Sequence, residues 1–321
     1  MLHRFVPLGL VSVAFAGLMS CASAGQPNLA AAPAADGSTP APAAQSAQTQ
    51  PSQTQPPPIA VAVIEKLAAP PEFSYAGELT QGGWIRGTVP AGTRRAKLGD
   101  QSLAYDKDDR SFFAAFDRDS PDALTLWAEL SDGSTYSEEI TVAPRKWQIE
   151  RVNVAKRGGG TSEAWWKKRE PEWNAIQGAR AKTTGAHGWK QDFAWPVKGR
   201  ISGRFGRQRI YRGEPGSYHS GIDIAPGNGV PFASPAQGVV VLARTGFSLE
   251  GGLIIIDHGN GLNSAFLHAS KIAVSEGDEV KQGQYIGNVG ASGRATGPHL
   301  HWSLKWNDAR LDPLLFTGPM S

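Results

Sequence analysis

The chain has 321 residues, of which 40% are hydrophobic and 19% charged, with a formal net charge of +3, one cysteine and seven histidines. That hydrophobic share excludes a wholly disordered chain, and the length suits about two domains. A single cysteine excludes an intramolecular disulfide and every zinc site built on cysteine pairs. Any metal must therefore be held by histidines and carboxylates.

Residues 1–21 read as an export signal: His3 and Arg4 precede an apolar, uncharged run from Phe5 to Met19. The run falls short of the ~20 residues a bilayer span needs. Cys21 directly follows Leu18-Met19-Ser20, as in a bacterial lipobox, where the cysteine carries lipid and becomes the first mature residue. The alternative is plain cleavage after Ala22-Ser23-Ala24. Either way the protein leaves the cytoplasm, and with a lipid anchor it sits at the outer membrane, facing the periplasm. Residues 22–58, rich in Ala, Pro, Gln and Ser and ending in Pro56-Pro57-Pro58, form a disordered tether.

Residues 59–150 are expected to form a β-sandwich-like domain. Turn signals such as Gly82-Gly83, Pro90-Ala91-Gly92 and Asp132-Gly133 separate short apolar runs, and residues 123–130 alternate. This stretch contains no histidine, so a spacer or binding module suits it better than catalysis. Residues 151–189 form a basic, partly helical connector. A helix is expected over 161–182, capped by Ser162, with Pro171 kinking it or starting a second helix, and with Trp165, Trp166 and Trp173 available for packing. Between Arg145 and Arg212 there are 17 Lys/Arg against 5 Asp/Glu, an excess of +12. A solvated basic connector accounts for this; attraction to a cell-wall polyanion is the sharper reading, and nucleic acid does not suit an exported chain.

Residues 190–321 are rich in Gly, Val, Ile and turn signals and suggest an antiparallel β domain. Residues 238–243 and 253–256 read as buried strands, and 257–261 turn the chain into a hairpin strand ending at His268. Two motifs here carry chemistry. His219-Ser220-Gly221-Ile222-Asp223 places a histidine and an aspartate four apart, and His299-Leu300-His301 places two histidines two apart. On a strand the second pair shares one face. Fully extended, the first pair would span ~13 Å, so the chain must bend between them for both to reach one ion, and Gly221 permits this. Histidines and a carboxylate with one position left open are what catalytic zinc requires. No His-Glu-x-x-His helix supplies a glutamate base, so a remaining histidine must move the proton. His268 and one member of the 299/301 pair are available.

These motifs resemble the LytM/lysostaphin-type zinc metallopeptidases, a family of peptidoglycan endopeptidases. His219-Ser220-Gly221-Ile222-Asp223 matches their His-x-Gly-x-Asp motif, Phe266-Leu267-His268 their middle histidine, and Gly293 to Trp302 their closing motif. The match covers roughly 190–318, and the upstream part resembles a subgroup with an N-terminal Ig-like β domain. The resemblance implies a Zn2+ site of His219, Asp223 and His301, with His268 and His299 as catalytic histidines and peptidoglycan as substrate. The alternative is a non-catalytic LytM-domain factor that binds peptidoglycan or activates other wall hydrolases. A lipid-anchored wall-binding scaffold ranks below both. His187, in a Gly-rich loop next to Trp189, is expected to be exposed and His258 to be structural, and Tyr211 and Tyr218 flank the first ligand, for packing or substrate contact.

Overall fold

In the computed structural model, residues 71–156 and 162–320 are described. The signal, Cys21 and the tether lie outside them. From residue 71 the chain enters a three-stranded antiparallel sheet of Ser74–Gly77, Trp84–Thr88 and Ser111–Ala115. A four-stranded sheet follows, ordered Gln101–Ser102, Thr93–Leu98, Ala123–Leu130, Thr135–Thr141. The alternation across 123–130 takes effect as expected: Leu126 and Ala128 are fully buried while Ala123 and Thr125 are exposed. The Asp132-Gly133 turn is closed by the Ser134 backbone N–H donating to Asp132 Oδ1 at 2.9 Å.

Ser111–Ala115 behaves differently. Phe112, Phe113, Ala114 and Ala115 are all buried. Successive side chains on a strand point to opposite faces, so both faces of this strand must be covered. Phe112 packs edge-on against Phe73 at 6.1 Å within the N-terminal region. Phe113 meets Trp306 at 6.4 Å and Phe316 at 6.2 Å, both from the C-terminal region. One hydrophobic core therefore runs through both β regions, and all described residues belong to one compact unit. Polar contacts reinforce the junction. Arg145 pairs with Asp312 at 2.8 Å, Lys190 with Asp106 and Asp109 at 2.7 and 2.8 Å, and Trp84 Nε1–H donates to the Leu315 carbonyl. Two cations of the basic segment, Arg145 and Lys190, are thus tied to carboxylates elsewhere in the fold.

The C-terminal region is built on an eight-stranded antiparallel sheet. Its order is Glu279–Val280, Gly238–Phe247, Gly251–Gly259, Leu262–Leu267, Leu300–Trp306, Ile222–Ala225, Arg200–Gly203, with Ala309–Leu311 also paired to Leu300–Trp306. The hairpin between the third and fourth of these turns at Asn260 and Gly261, both with positive φ (50° and 77°), as a two-residue Asn-Gly loop requires. A small sheet of Pro231–Ala233, Tyr285–Asn288 and Lys271–Ile272 lies apart from it. Ile149–Val152 joins Gln208–Tyr211 in parallel, so the connector begins with a strand that belongs to neither large sheet.

The helix runs Glu163–Arg180, with the Trp165 N–H donating to Ser162 Oγ at 3.2 Å. It continues through Pro171 as one helix, rather than ending there or starting a second. Ile176 and Ala179 seat it on Leu253, Ile255 and Ala265 of the large sheet. The tryptophans do not provide the main contact: Trp166 and Trp173 are 48% and 46% exposed. Among the described residues no helix is long and apolar enough to cross a membrane.

Candidate metal centre

Three strands converge on one spot. Asp223, on Ile222–Ala225, lies directly opposite His301 on Leu300–Trp306, and His301 in turn lies opposite Leu267, next to His268. Directly opposed residues of an antiparallel pair share a face. His219 comes from the loop before Ile222. His219 Nε2 lies 3.1 Å from Asp223 Oδ1 and 3.1 Å from His301 Nδ1, and His301 Nδ1 lies 2.9 Å from Asp223 Oδ1. Gly221 serves by space: a Cβ there would press on the Trp302 carbonyl and stand 2.8 Å from His301 Nε2. Gly203, opposite Asp223, leaves the room that a Cβ would take from Asp223 Oδ2.

Ring orientation follows from backbone carbonyls, which can only accept. His219 Nδ1–H donates to the Arg204 carbonyl at 3.0 Å, so neutral His219 turns a bare Nε2 toward its neighbours. His268 Nδ1–H donates to the Ser292 carbonyl at 2.8 Å and His299 Nδ1–H to the Gly297 carbonyl at 2.8 Å. Both therefore also present a bare Nε2. Their rings are 4.8 Å apart, and His299 Nε2 is 3.6 Å from Asp223 Oδ1. His268 sits at φ +68°, left-handed backbone that a non-glycine residue holds only when its surroundings enforce it. Here its N–H donates to the Glu250 carbonyl and its own carbonyl accepts from Ser292 N–H.

Electrostatics fit a cation-ready cluster. Burial alone would raise the Asp223 pKa, but hydrogen bonds from His219 and His301 hold it far below the usual carboxylate range. Burial alone would lower His219, yet the bond to Asp223 prevails and its pKa is raised. His301, only 8% exposed, is lowered by burial despite Asp223. His268 is lowered by burial, with the neighbouring His299 and His301 adding to the effect. Two imidazole nitrogens and one carboxylate oxygen, 2.9–3.1 Å apart, approach the spacing of about 3.3 Å expected for tetrahedral ligands with bonds near 2.0–2.1 Å. The donor types suit zinc. Without a cation, a proton on His219 relieves the crowding of lone pairs, and this explains the raised pKa.

The cluster separates two concavities. One of about 380 Å3 is lined by Tyr211, Tyr218, His219, Asp223 and Arg294. The other, about 240 Å3, is lined by His301, Ser220 and the inner side of the helix. Tyr218 is committed to packing, with Arg118 stacked on its ring at 4.5 Å and Arg310 at 5.3 Å. His258 is fully buried away from the cluster. Its Nδ1–H donates to the Gln237 carbonyl, and its Nε2 accepts from Ser264 Oγ–H, both at 2.8 Å.

The family model of peptidase family M23 matches residues 217–313. These residues form an M23 peptidase domain. The chain is 41% identical over 116 residues to the peptidoglycan DD-endopeptidase ShyA of Vibrio cholerae, covering 34% of this chain and 26% of that protein. A lipoprotein NlpD/LppB homolog of Pseudomonas aeruginosa is 36% identical over 129 residues, 40% of this chain and 39% of that one. The chain thus spans well under half the length of these curated relatives. A crystal structure of a putative M23 peptidase from Pseudomonas aeruginosa matches with a TM-score of 0.57 at 26% identity, over 74% of this chain and 94% of that one. A match over 74% of the chain extends beyond the M23 domain, so the shared architecture includes part of the region upstream.

Proposed function

We propose that the protein is an exported, zinc-dependent endopeptidase that hydrolyses peptide cross-links of peptidoglycan. The observation that carries this reading is the tripod of His219, Asp223 and His301 with two further histidines, His268 and His299, presenting bare Nε2 atoms beside it. When bound, zinc supplies the Lewis acidity that polarises an amide carbonyl and acidifies water. His219 and His301 would hold it as neutral ligands, and Asp223 as the anionic one. The chain's own proton chemistry falls to the other pair. His268, its pKa lowered by burial, is unprotonated near neutral pH and can accept a proton at Nε2. His299, whose Nε2 lies 3.6 Å from Asp223 Oδ1, is placed to pass a proton on to the leaving amine. Similarity to a protein named a peptidoglycan DD-endopeptidase supports the substrate class, and similarity to a named lipoprotein supports the Cys21 anchor.

The test pairs zinc content with digestion of purified sacculi by the wild type and His219→Ala. The wild type is expected to bind one zinc per chain and release muropeptides, and the variant to do neither. Zinc binding without release would overturn the enzyme in favour of a non-catalytic factor acting on other hydrolases. Cell fractionation of Cys21→Ala checks the anchor: a protein still in the membrane fraction would remove it.

A further inference from the structure

The concavity on the helix side of the cluster has an unusual charge inventory. Its cations are Arg169, Arg180, Lys305 and Arg310, and Glu250 is the sole carboxylate lining it. Glu250 is already saturated, since Arg169 Nη1 and Nη2 donate to its two oxygens at 2.7 Å, with Arg169 also bound to Glu172. Lys305 pairs with Asp308 at 3.0 Å. Among the described residues, the ion pairs of this face include neither Arg180 nor Arg310. Burial and the nearby Arg310 cation push the Arg180 guanidinium down to about 10, with Glu250 offsetting only part of this. Arg180 and Arg310 line the same space, and an anion held there would offset the cost of keeping Arg180 charged.

The remainder of the cavity narrows the choice of anion. Ile255, Ala265 and Leu267 give it an aliphatic floor, and His301 gives it a common wall with the tripod. At about 30 Å3 per water in the liquid, a volume of about 240 Å3 admits an amino-acid-sized group. His301, Ser303 and Lys305 step along one strand face, ~13 Å from first to last. A group held at the arginines therefore lies within a few extended residues of an amide bond at His301. We propose that this cavity is a substrate subsite in which Arg180 and Arg310 hold the free carboxylate of a small aliphatic residue at the end of the peptide being cut. The helix is then one wall of the substrate groove. The inference rests on the peptidase reading for its substrate, but its geometry is independent of it.

The test measures binding of dansyl-D-alanyl-D-alanine, as free acid and as amide, to the full chain by fluorescence anisotropy. The acid is expected to bind at least tenfold more tightly than the amide. In Arg180→Gln/Arg310→Gln the preference should fall to within twofold, and in Lys305→Gln it should persist. Should the double variant fail to melt cooperatively, Arg310→Gln alone is expected to lose most of the preference. Equal binding of acid and amide by the wild type, or a preference that survives loss of the arginines, overturns the subsite. Sacculus digestion is scored separately. Acid preference without muropeptide release keeps the subsite and removes the peptidase, whereas release without preference does the reverse.

Discussion

The Ala123–Leu130 strand and the Gly251–Gly259 strand are of similar length, yet the first leaves Ala123 and Thr125 in water while all nine residues of the second are buried. The first belongs to a sheet with one wet side. The second is covered on both sides: Leu253 and Ile255 lie under the helix, and Ile254 and Ile256 face the core shared with the N-terminal region. A sheet enclosed on both faces cannot shift one strand without disturbing two packed layers. The tripod needs that stiffness, because its three donor atoms come from different stretches of chain and must stay within 2.9–3.1 Å of one another. The N-terminal strands can afford exposure because no candidate site residue lies on them. They act on the site indirectly, by supplying part of the cover.

If the two regions share one core, breaking it from the N-terminal side must melt both. Phe113 stacks on Trp84 at 6.2 Å and touches Trp306 and Phe316 across the junction. Phe113→Ala is expected to cost about 3–5 kcal/mol, as for other large-to-small aromatic deletions in packed cores. Calorimetry should show one transition at lower temperature; two separate transitions would mean independent domains. The polar half of the junction gives the next effect. The Asp312 side chain is 2% exposed, and Arg145→Ala would strand its carboxylate. The expected loss is about 3 kcal/mol by urea unfolding. Asp192→Ala removes one Arg86 partner on the same boundary, but Asp192 is 97% exposed and Arg86 keeps the Gln191 carbonyl as acceptor, so a loss below about 1 kcal/mol is expected. Equal losses from the two variants would show that burial does not govern this junction.

The C-terminal region was the more legible of the two in sequence, for the same physical reason. Strands buried on both faces read as unbroken apolar runs, such as Leu253 to Ile256, and the Asn260-Gly261 turn has a local signature that depends on no distant partner. The candidate site residues were equally visible, and the structure brings His219, Asp223, His268, His299 and His301 to one place. The groups that aim them were not visible. The Arg204, Ser292 and Gly297 carbonyls are backbone atoms, which every residue carries. The left-handed backbone of His268 is set by long-range hydrogen bonds. The helix seats itself through Ile176 and Ala179, although its tryptophans offered the stronger apolar signal, because facing direction outweighs residue size. The parallel pairing of Ile149–Val152 with Gln208–Tyr211 spans some 60 residues and has no local sequence mark.

Mild acid acts on the histidines of the C-terminal region alone, since residues 71–150 contain no histidine. His258 lies inside the enclosed strand, and burial lowers its pKa from 6.5 to about 4. In the unfolded chain it titrates near 6.5. Between these values the unfolded state binds the proton and the folded state does not, so stability rises with pH. The contribution is complete above about 6.5 and is lost as pH falls toward 4. Taken over the whole window, the shift corresponds to roughly 3 kcal/mol, of which about 2 should be gone by pH 5. Urea midpoints measured from pH 7 to 4.5 on the wild type and on His258→Gln read this as a difference in slope, whatever the variant costs at pH 7. The variant should show the shallower slope by nearly one proton. Parallel slopes would mean that the C-terminal sheet is not where acid first acts, and that its enclosure does not extend to His258.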